Sequence, residues 1–230
     1  MAELLLVRHG QASFGAADYD KLSELGVEQS RALGRWWSSC QLQVDSLMAG
    51  TMRRHRETAE GAMIALPNPP ELAIDGGFDE YDFQDVLLRY RPDFAEGGIM
   101  QRLVAEKSNP KQAFQELFSQ ATARWMGGRN DDEYEESWPQ FRDRVVAALQ
   151  RVLEDDSRRR TAVFTSGGPI GAAVQWVLGL DNEQMQSLNW VIANSSVTSI
   201  IYRPGQVSLS YFNNFAHLQQ TSDRSFITYR

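Results

Sequence analysis

The sequence predicts an α/β protein: a three-layer α/β/α sandwich with a mostly parallel central sheet and a helical cap insertion. Three observations predict it. Short apolar runs, such as residues 4–7 and 161–165, stop abruptly at charge or glycine, as buried strands do. Between them lie stretches with apolar residues at three- and four-residue steps, the spacing of helices that bury one face. Strands alternating with helices build parallel sheets. Residues 81–138 break the pattern: they are polar, charged and aromatic, with few strand signals, and read as an insertion within a single domain spanning residues 1–230.

Residues 4–7 are the first strand, ended by Arg8-His9-Gly10. Residues 23–39 are the first helix, with Leu22, Leu25, Gln29, Ala32, Leu33 and Trp36 at helical steps and Ser23 as its cap. A second strand is expected over 44–49 and a second helix over 52–66, stopped by Pro67. Residues 71–75 make a short strand closed by Gly76-Gly77. The insertion carries "DVLLRYRPDF", "KQAFQELFSQATARWM" and "GGRNDDEYEESW", read as helices and loops. A long helix follows over 141–153, with Phe141, Val145, Ala148, Leu149 and Val152 on one face. Then come a strand (161–165) and a helix (169–178) with Pro169 in its first turn, where a missing N–H is harmless. Residues 197–202 and 207–212 flank Pro204-Gly205 as a hairpin.

Composition narrows the function classes. A chain of 230 residues can bury a core without staples. Cys40 is the sole cysteine, which excludes an internal disulfide and a cysteine metal cluster and suits a reducing compartment. There is no basic leader and no run of ~20 apolar residues, so the expected address is cytoplasmic, with no membrane partner. A net charge of −7 disfavours nucleic-acid phosphates as partners. Arg158-Arg159-Arg160 reads as a solvated helix end.

Three segments follow strands and therefore open at one sheet edge, where such folds bind ligands. In Arg8-His9-Gly10, arginine offers a fixed fork for phosphate or carboxylate, histidine a nucleophile or proton carrier, and glycine close backbone approach. Arg53, Arg54 and Arg56 crowd a helix start, where cations repel each other and oppose the dipole unless an anion or several carboxylates lie close. Ser166-Gly167-Gly168-Pro169 opens a helix whose N–H groups can hold an oxyanion. Its glycine spacing departs from that of a dinucleotide loop.

Taken in order, these segments resemble the histidine phosphatase superfamily, the phosphoglycerate-mutase-like proteins. Arg8-His9-Gly10 matches the R-H-G motif, "LSELGVEQSRALG" the L-T-x-x-G-x-x-Q-A stretch, and "TMRRHRETAE" the R-A-x-x-T-A pattern. The last places the second phosphate arginine at Arg54, its anchor at Thr58-Ala59, and His55 at the usual alanine. "FDEYDF" aligns Glu80 with the family's acid, and "AVFTSGGPI" matches V-V-S-H-G-G-x-I. The resemblance implies that His9 attacks phosphorus to form phosphohistidine. Arg8, Arg54, Ser166 and Gly167 would bind the phosphoryl oxygens, and Glu80 would serve as acid and then base. It implies no metal and no cofactor. The expected partner is a small phosphorylated substrate or phosphate; the oligomeric state is left open, a homodimer included.

Ser166 departs from the pattern, which has a second histidine there. Losing a charged transition-state donor costs about 3 kcal/mol, a factor of 100 or more. Three readings follow: slower hydrolysis, another residue such as His55 or an arginine of the Arg53-Arg54-His55-Arg56 cluster reaching in, or a phosphate-binding protein without turnover. The insertion's Tyr81, Phe83, Arg89, Tyr90, Arg91, Trp125, Tyr134 and Trp138 either line a substrate pocket or form the insertion's own core. Nothing in it matches a retained bisphosphate, so a phosphatase is expected rather than a mutase. His217 is expected to be structural.

Overall fold

The structure is a computed structural model. It describes every residue except 14–19, 97–108, 156, 221–222 and 230. Two compact units emerge: Met1–Glu80 with Arg144–Arg230, and Tyr81–Asp143.

The first unit is built on a six-stranded sheet of order β3-β2-β4-β1-β5-β6. Its strands are β1 (Ala2–Arg8), β2 (Ser46–Ala49), β3 (Leu72–Ile74), β4 (Arg160–Thr165), β5 (Val197–Arg203) and β6 (Gln206–Asn214). The first four run parallel; β5 is antiparallel to β1, and β6 to β5. Arg8 pairs with Thr165 and Ala49 with Phe164. The carboxyl ends of β1, β2 and β4 therefore finish level at one edge.

Alternation along β1 makes the layers, because successive side chains point to opposite faces. Leu5 and Val7 pack with Leu33 and Trp37 of α1 (Glu24–Ser39) and with Ala59 and Ala62 of α2 (Arg53–Met63). Leu4 and Leu6 pack on the other face, with Ile170, Ala173 and Val174 of α6 (Gly167–Leu178) and with Ala148, Leu149 and Val152. Those last three lie on α5 (Trp138–Leu153), whose residues from Arg144 onward belong to this unit. Each leucine, isoleucine or valine among them contributes about 1.5–3 kcal/mol by burial, and each alanine less. As expected, Ser23 caps α1, accepting from the Gly26 N–H.

Element ends differ from expectation by a few residues. β2 starts at Ser46, α2 stops at Met63, and α5 starts at Trp138. Helix α7 (Asn182–Asn189) was not foreseen: its sequence is polar, and a capping box between Asp181 and Gln184 opens it. A one-turn helix, α8 (Ala216–Gln219), follows the hairpin.

The second unit contains α3 (Phe83–Tyr90), α4 (Pro110–Met126) and the first turns of α5. Its core is aromatic. The Trp125 ring lies 4.6 Å from Tyr81, 5.2 Å from Trp138 and 5.6 Å from Phe141. The Trp125 indole N–H donates to the Glu136 carbonyl at 2.9 Å.

Candidate active site

His9 follows β1 directly. Its backbone is fixed on both sides: its N–H donates to the Thr165 carbonyl at 2.8 Å, and its carbonyl accepts from Ser195 N and Asn194 Nδ2, both at 3.1 Å. The ring Nδ1 lies 2.7 Å from the Gly10 carbonyl oxygen. A carbonyl only accepts, so Nδ1 carries the proton and Nε2 keeps its lone pair. Burial, then the charges of Arg54 and Arg8, then His55, hold His9 well below the ordinary value of 6.5, against the opposing Gly10 bond. It is a neutral imidazole at neutral pH, with 7% of its surface reaching solvent.

Gly10 needs its missing side chain. A Cβ there would lie 2.4 Å from the Gly26 carbonyl oxygen, and one on Gly26 would lie 2.1 Å from that of Gln11. The turn after His9 thus packs backbone to backbone on the start of α1. Gly10 N–H also donates to Thr58 Oγ1 at 3.0 Å, while Thr58 donates to the Arg54 carbonyl at 2.6 Å. Thr58 therefore ties the turn to the helix end that carries Arg54.

Arg8 and Arg54 are both buried. Arg8 Nη1 donates to the Ile192 carbonyl. Carboxylates meet the crowded arginines of α2. Arg54 Nη1 lies 2.7 Å from Asp20 Oδ1, Asp20 Oδ2 accepts from Arg53 N–H at 2.7 Å, and Arg53 pairs with Glu57 at 2.6 Å. Sequence reasoning did not single out Asp20.

Glu80 Oε2 accepts from Gly168 N–H at 3.1 Å, in the first turn of α6. Asp82, its neighbouring carboxylate, instead caps α3, accepting from Gln84 and Asp85 N–H. Arg144 holds the turn leading to Glu80: Nη1 donates to the carbonyls of Gly76, Gly77 and Asp79 at 3.0, 3.2 and 3.1 Å. Only an arginine in a helical stripe otherwise apolar could have hinted at that.

Ser166 stands at the N-cap of α6, yet its side chain makes no capping bond. Its Oγ lies 2.6 Å from Nε2 of His55, and both residues are fully buried. Beyond the ring, Asp79 Oδ1 is 3.8 Å from His55 Nδ1. Asp79 itself accepts from the backbone N–H and the hydroxyl of Thr51 at 2.6 and 2.5 Å. The His55 and His9 rings lie 5.9 Å apart. Burial, then Arg54, holds His55 well below 6.5 as well.

The structure thus gathers Arg8, His9, Arg54, Glu80, Ser166 and Gly167 at one sheet edge, within one unit. Among the described residues, no cluster of three or more His, Cys, Asp or Glu is placed to hold a metal ion. None of their helices is long and apolar enough to cross a membrane. A sequence model of the histidine phosphatase superfamily (branch 1) matches residues 4–97 and 88–215. The chain belongs to the histidine phosphatase superfamily. By family it is a phosphatase-type hydrolase. Solved structures of this fold include a histidine-to-alanine variant of phosphoserine phosphatase from Entamoeba histolytica in complex with phosphoserine (17% identity, 95% of this chain and 100% of that one, TM-score 0.64). Another is the phosphoglycerate mutase of Bacillus anthracis (18%, 94% of each chain, TM-score 0.64). A third is the mycobacterial glucosyl-3-phosphoglycerate phosphatase with VO3 (20%, 93% and 99%, TM-score 0.61). No curated protein sequence matches significantly.

Other candidates in this histidine phosphatase have structural partners. Trp125, Tyr134 and Trp138 are buried in their own unit's core. Arg89 pairs with Asp85, Arg91 with Asp93, and the Tyr90 hydroxyl donates to Gln120. His217 is buried, stacked on Trp36 at 5.7 Å. Ser195 donates to the Gln29 carbonyl at 3.1 Å, so His217 Nε2–H is the donor in its 3.0 Å bond to Ser195 Oγ. Gln29 in turn donates to the Phe226 carbonyl and Thr228 Oγ1, both at 2.9 Å.

Proposed function

We propose that this histidine phosphatase hydrolyses phosphomonoesters, without a metal, through a phosphohistidine on His9 Nε2. The observation that carries the reading is the bond between His9 Nδ1 and the Gly10 carbonyl, which leaves Nε2 unprotonated at the sheet edge.

In the first step the Nε2 lone pair attacks phosphorus, the P–O bond to the leaving group breaks, and Glu80 gives its proton to the departing oxygen. In the second, water attacks the phosphohistidine, Glu80 takes the water's proton, and the N–P bond breaks. Inorganic phosphate leaves and the Nε2 lone pair returns. Arg8 and Arg54 bind the non-bridging oxygens, with Arg54 exchanging its contact to Asp20 for the phosphoryl group. Gly167 N–H, at the α6 N-terminus, and the Ser166 hydroxyl complete the cradle. The substrate is a small phosphorylated molecule, in keeping with the phosphoserine bound by the amoebal relative.

The test is brief exposure to labelled substrate followed by acid and alkali treatment. An acid-labile, alkali-stable phosphoprotein is expected, absent in His9→Ala. Ser166 favours a second reading, phosphate binding without turnover. Measurable phosphate binding with no adduct and no hydrolysis across a broad phosphomonoester panel would favour it instead.

A further inference from the structure

Resting on the phosphohistidine reading, we infer that His55 is a positioning residue: it acts on the phosphoryl group through the hydroxyl of Ser166. Position 166 is where the R-H-G pattern carries a second histidine, and position 55 is where it carries alanine. The two departures touch, Nε2 to Oγ, at 2.6 Å.

Several observations show a site built around this pair. Both side chains are fully buried, where an unsatisfied polar group is costly. Among the described residues His55 Nδ1 has no hydrogen-bond partner, but it faces the Asp79 carboxylate at 3.8 Å. Thr51 fixes that carboxylate by two bonds. Gly50 leaves the space the ring occupies: a Cβ there would lie 2.3 Å from Nδ1 and 2.5 Å from Asp79 Oδ1. Ser166 Oγ is not spent on capping α6.

The arrangement works as a hydrogen-bond relay with no covalent change at either residue. Asp79, 3.8 Å from Nδ1, is beyond hydrogen-bond reach, so in the relay the proton of the neutral ring sits on Nε2, where it has an acceptor: Nε2–H donates to Ser166 Oγ, and the Ser166 O–H donates to a non-bridging oxygen. A hydroxyl that accepts a bond donates a stronger one. Asp79 stands ready to receive Nδ1–H whenever the imidazole gains a proton beside the anionic phosphoryl group.

The experiment measures kcat and KM of the full chain with p-nitrophenyl phosphate as probe, for H55A, S166A, H55A/S166A and H55A/S166H. Each single variant is expected to lose about 10- to 100-fold in kcat, with KM changed less than about threefold. Partners in a relay are non-additive, so the double alanine variant should fall no more than about threefold below the weaker single. H55A/S166H should recover at least about tenfold over H55A, because it returns a histidine to the turn. If H55A does not fold, G50A takes its place: its Cβ displaces the His55 ring and the Asp79 carboxylate behind it while leaving Ser166 unchanged; its loss should be non-additive with S166A. The inference is overturned if H55A, or G50A in its place, keeps wild-type kcat. Multiplying losses, or an effect on KM alone, also overturns it. Wild type that forms no phosphoenzyme would instead bring down the phosphohistidine reading, and this inference with it.

Discussion

His217 makes the protein acid-sensitive in a way that one substitution should reveal. It is buried beneath Trp36, and burial lowers its pKa to about 4 from the ordinary 6.5. In the unfolded chain it titrates near 6.5. Above that value both states are neutral and the folded state keeps its full stability. As pH falls from 6.5 towards 4, the unfolded chain takes up the proton first and stability is lost. The whole window is worth about 3 kcal/mol, of which about 2 kcal/mol falls between pH 7 and pH 5. His217→Phe keeps a ring against Trp36 and removes the titration. It gives up the bond to Ser195, worth about 1 kcal/mol, but also the buried Nδ1, which has no hydrogen-bond partner among the described residues. The two proteins should therefore be close in stability at pH 7.5, and the variant about 2 kcal/mol more stable relative to wild type at pH 5. His9 and His55 titrate in both proteins, so the difference isolates His217. Urea unfolding at the two pH values measures it. Equal acid losses in wild type and variant would refute the reasoning.

Further outcomes follow from the site. Because His9 is held well below 6.5, hydrolysis should persist as pH falls under 6.5, and a pH profile of kcat/KM whose acid limb lies at or above 6.5 would contradict a neutral, depressed nucleophile. Glu80→Gln cannot donate a proton; kcat should fall about 100-fold or more for alkyl phosphates and less for aryl phosphates with good leaving groups, as steady-state kinetics with both would show. Gly26→Ala places a Cβ 2.1 Å from the Gln11 carbonyl. It should cost at least about 1–3 kcal/mol in urea unfolding, and lower kcat by moving the turn that holds His9.

Much of this was legible in the sequence. Short apolar runs locate strand ends, and parallel strands end together, so Arg8, His9, Ser166, Gly167 and the arginines of α2 could be placed at one edge; Glu80, and Arg54 among those arginines, were legible only through the family resemblance. The rest was hidden because it depends on tertiary approach. Asp20 reaches Arg54 across 34 residues. Arg144 acts on backbone carbonyls, which carry no side-chain signature. Asn194 and Ser195 hold the His9 carbonyl from the far end of the chain. Helix α7 escaped because its apolar face is short, with Met185 buried and Leu188 against the core, and its clearest signal is the capping box that opens it. In the insertion the aromatic residues were visible, but composition does not distinguish core from pocket lining; the buried Trp125 ring does.

The position of β1 also sets a timetable. It is made before the other five strands and lies inside the sheet, and both its neighbours come late: Leu4 pairs with Thr161 on one side and Ile200 on the other. At translation rates of about 5–20 residues per second, the strand that leads into His9 waits roughly 8–30 s for even its nearer partner in sequence. Through that interval an apolar strand is exposed on both edges, open to pairing with other chains. The nascent protein is therefore most exposed to aggregation while it still lacks a site, and the nucleophile takes up its working geometry only when the last third of the chain has been made.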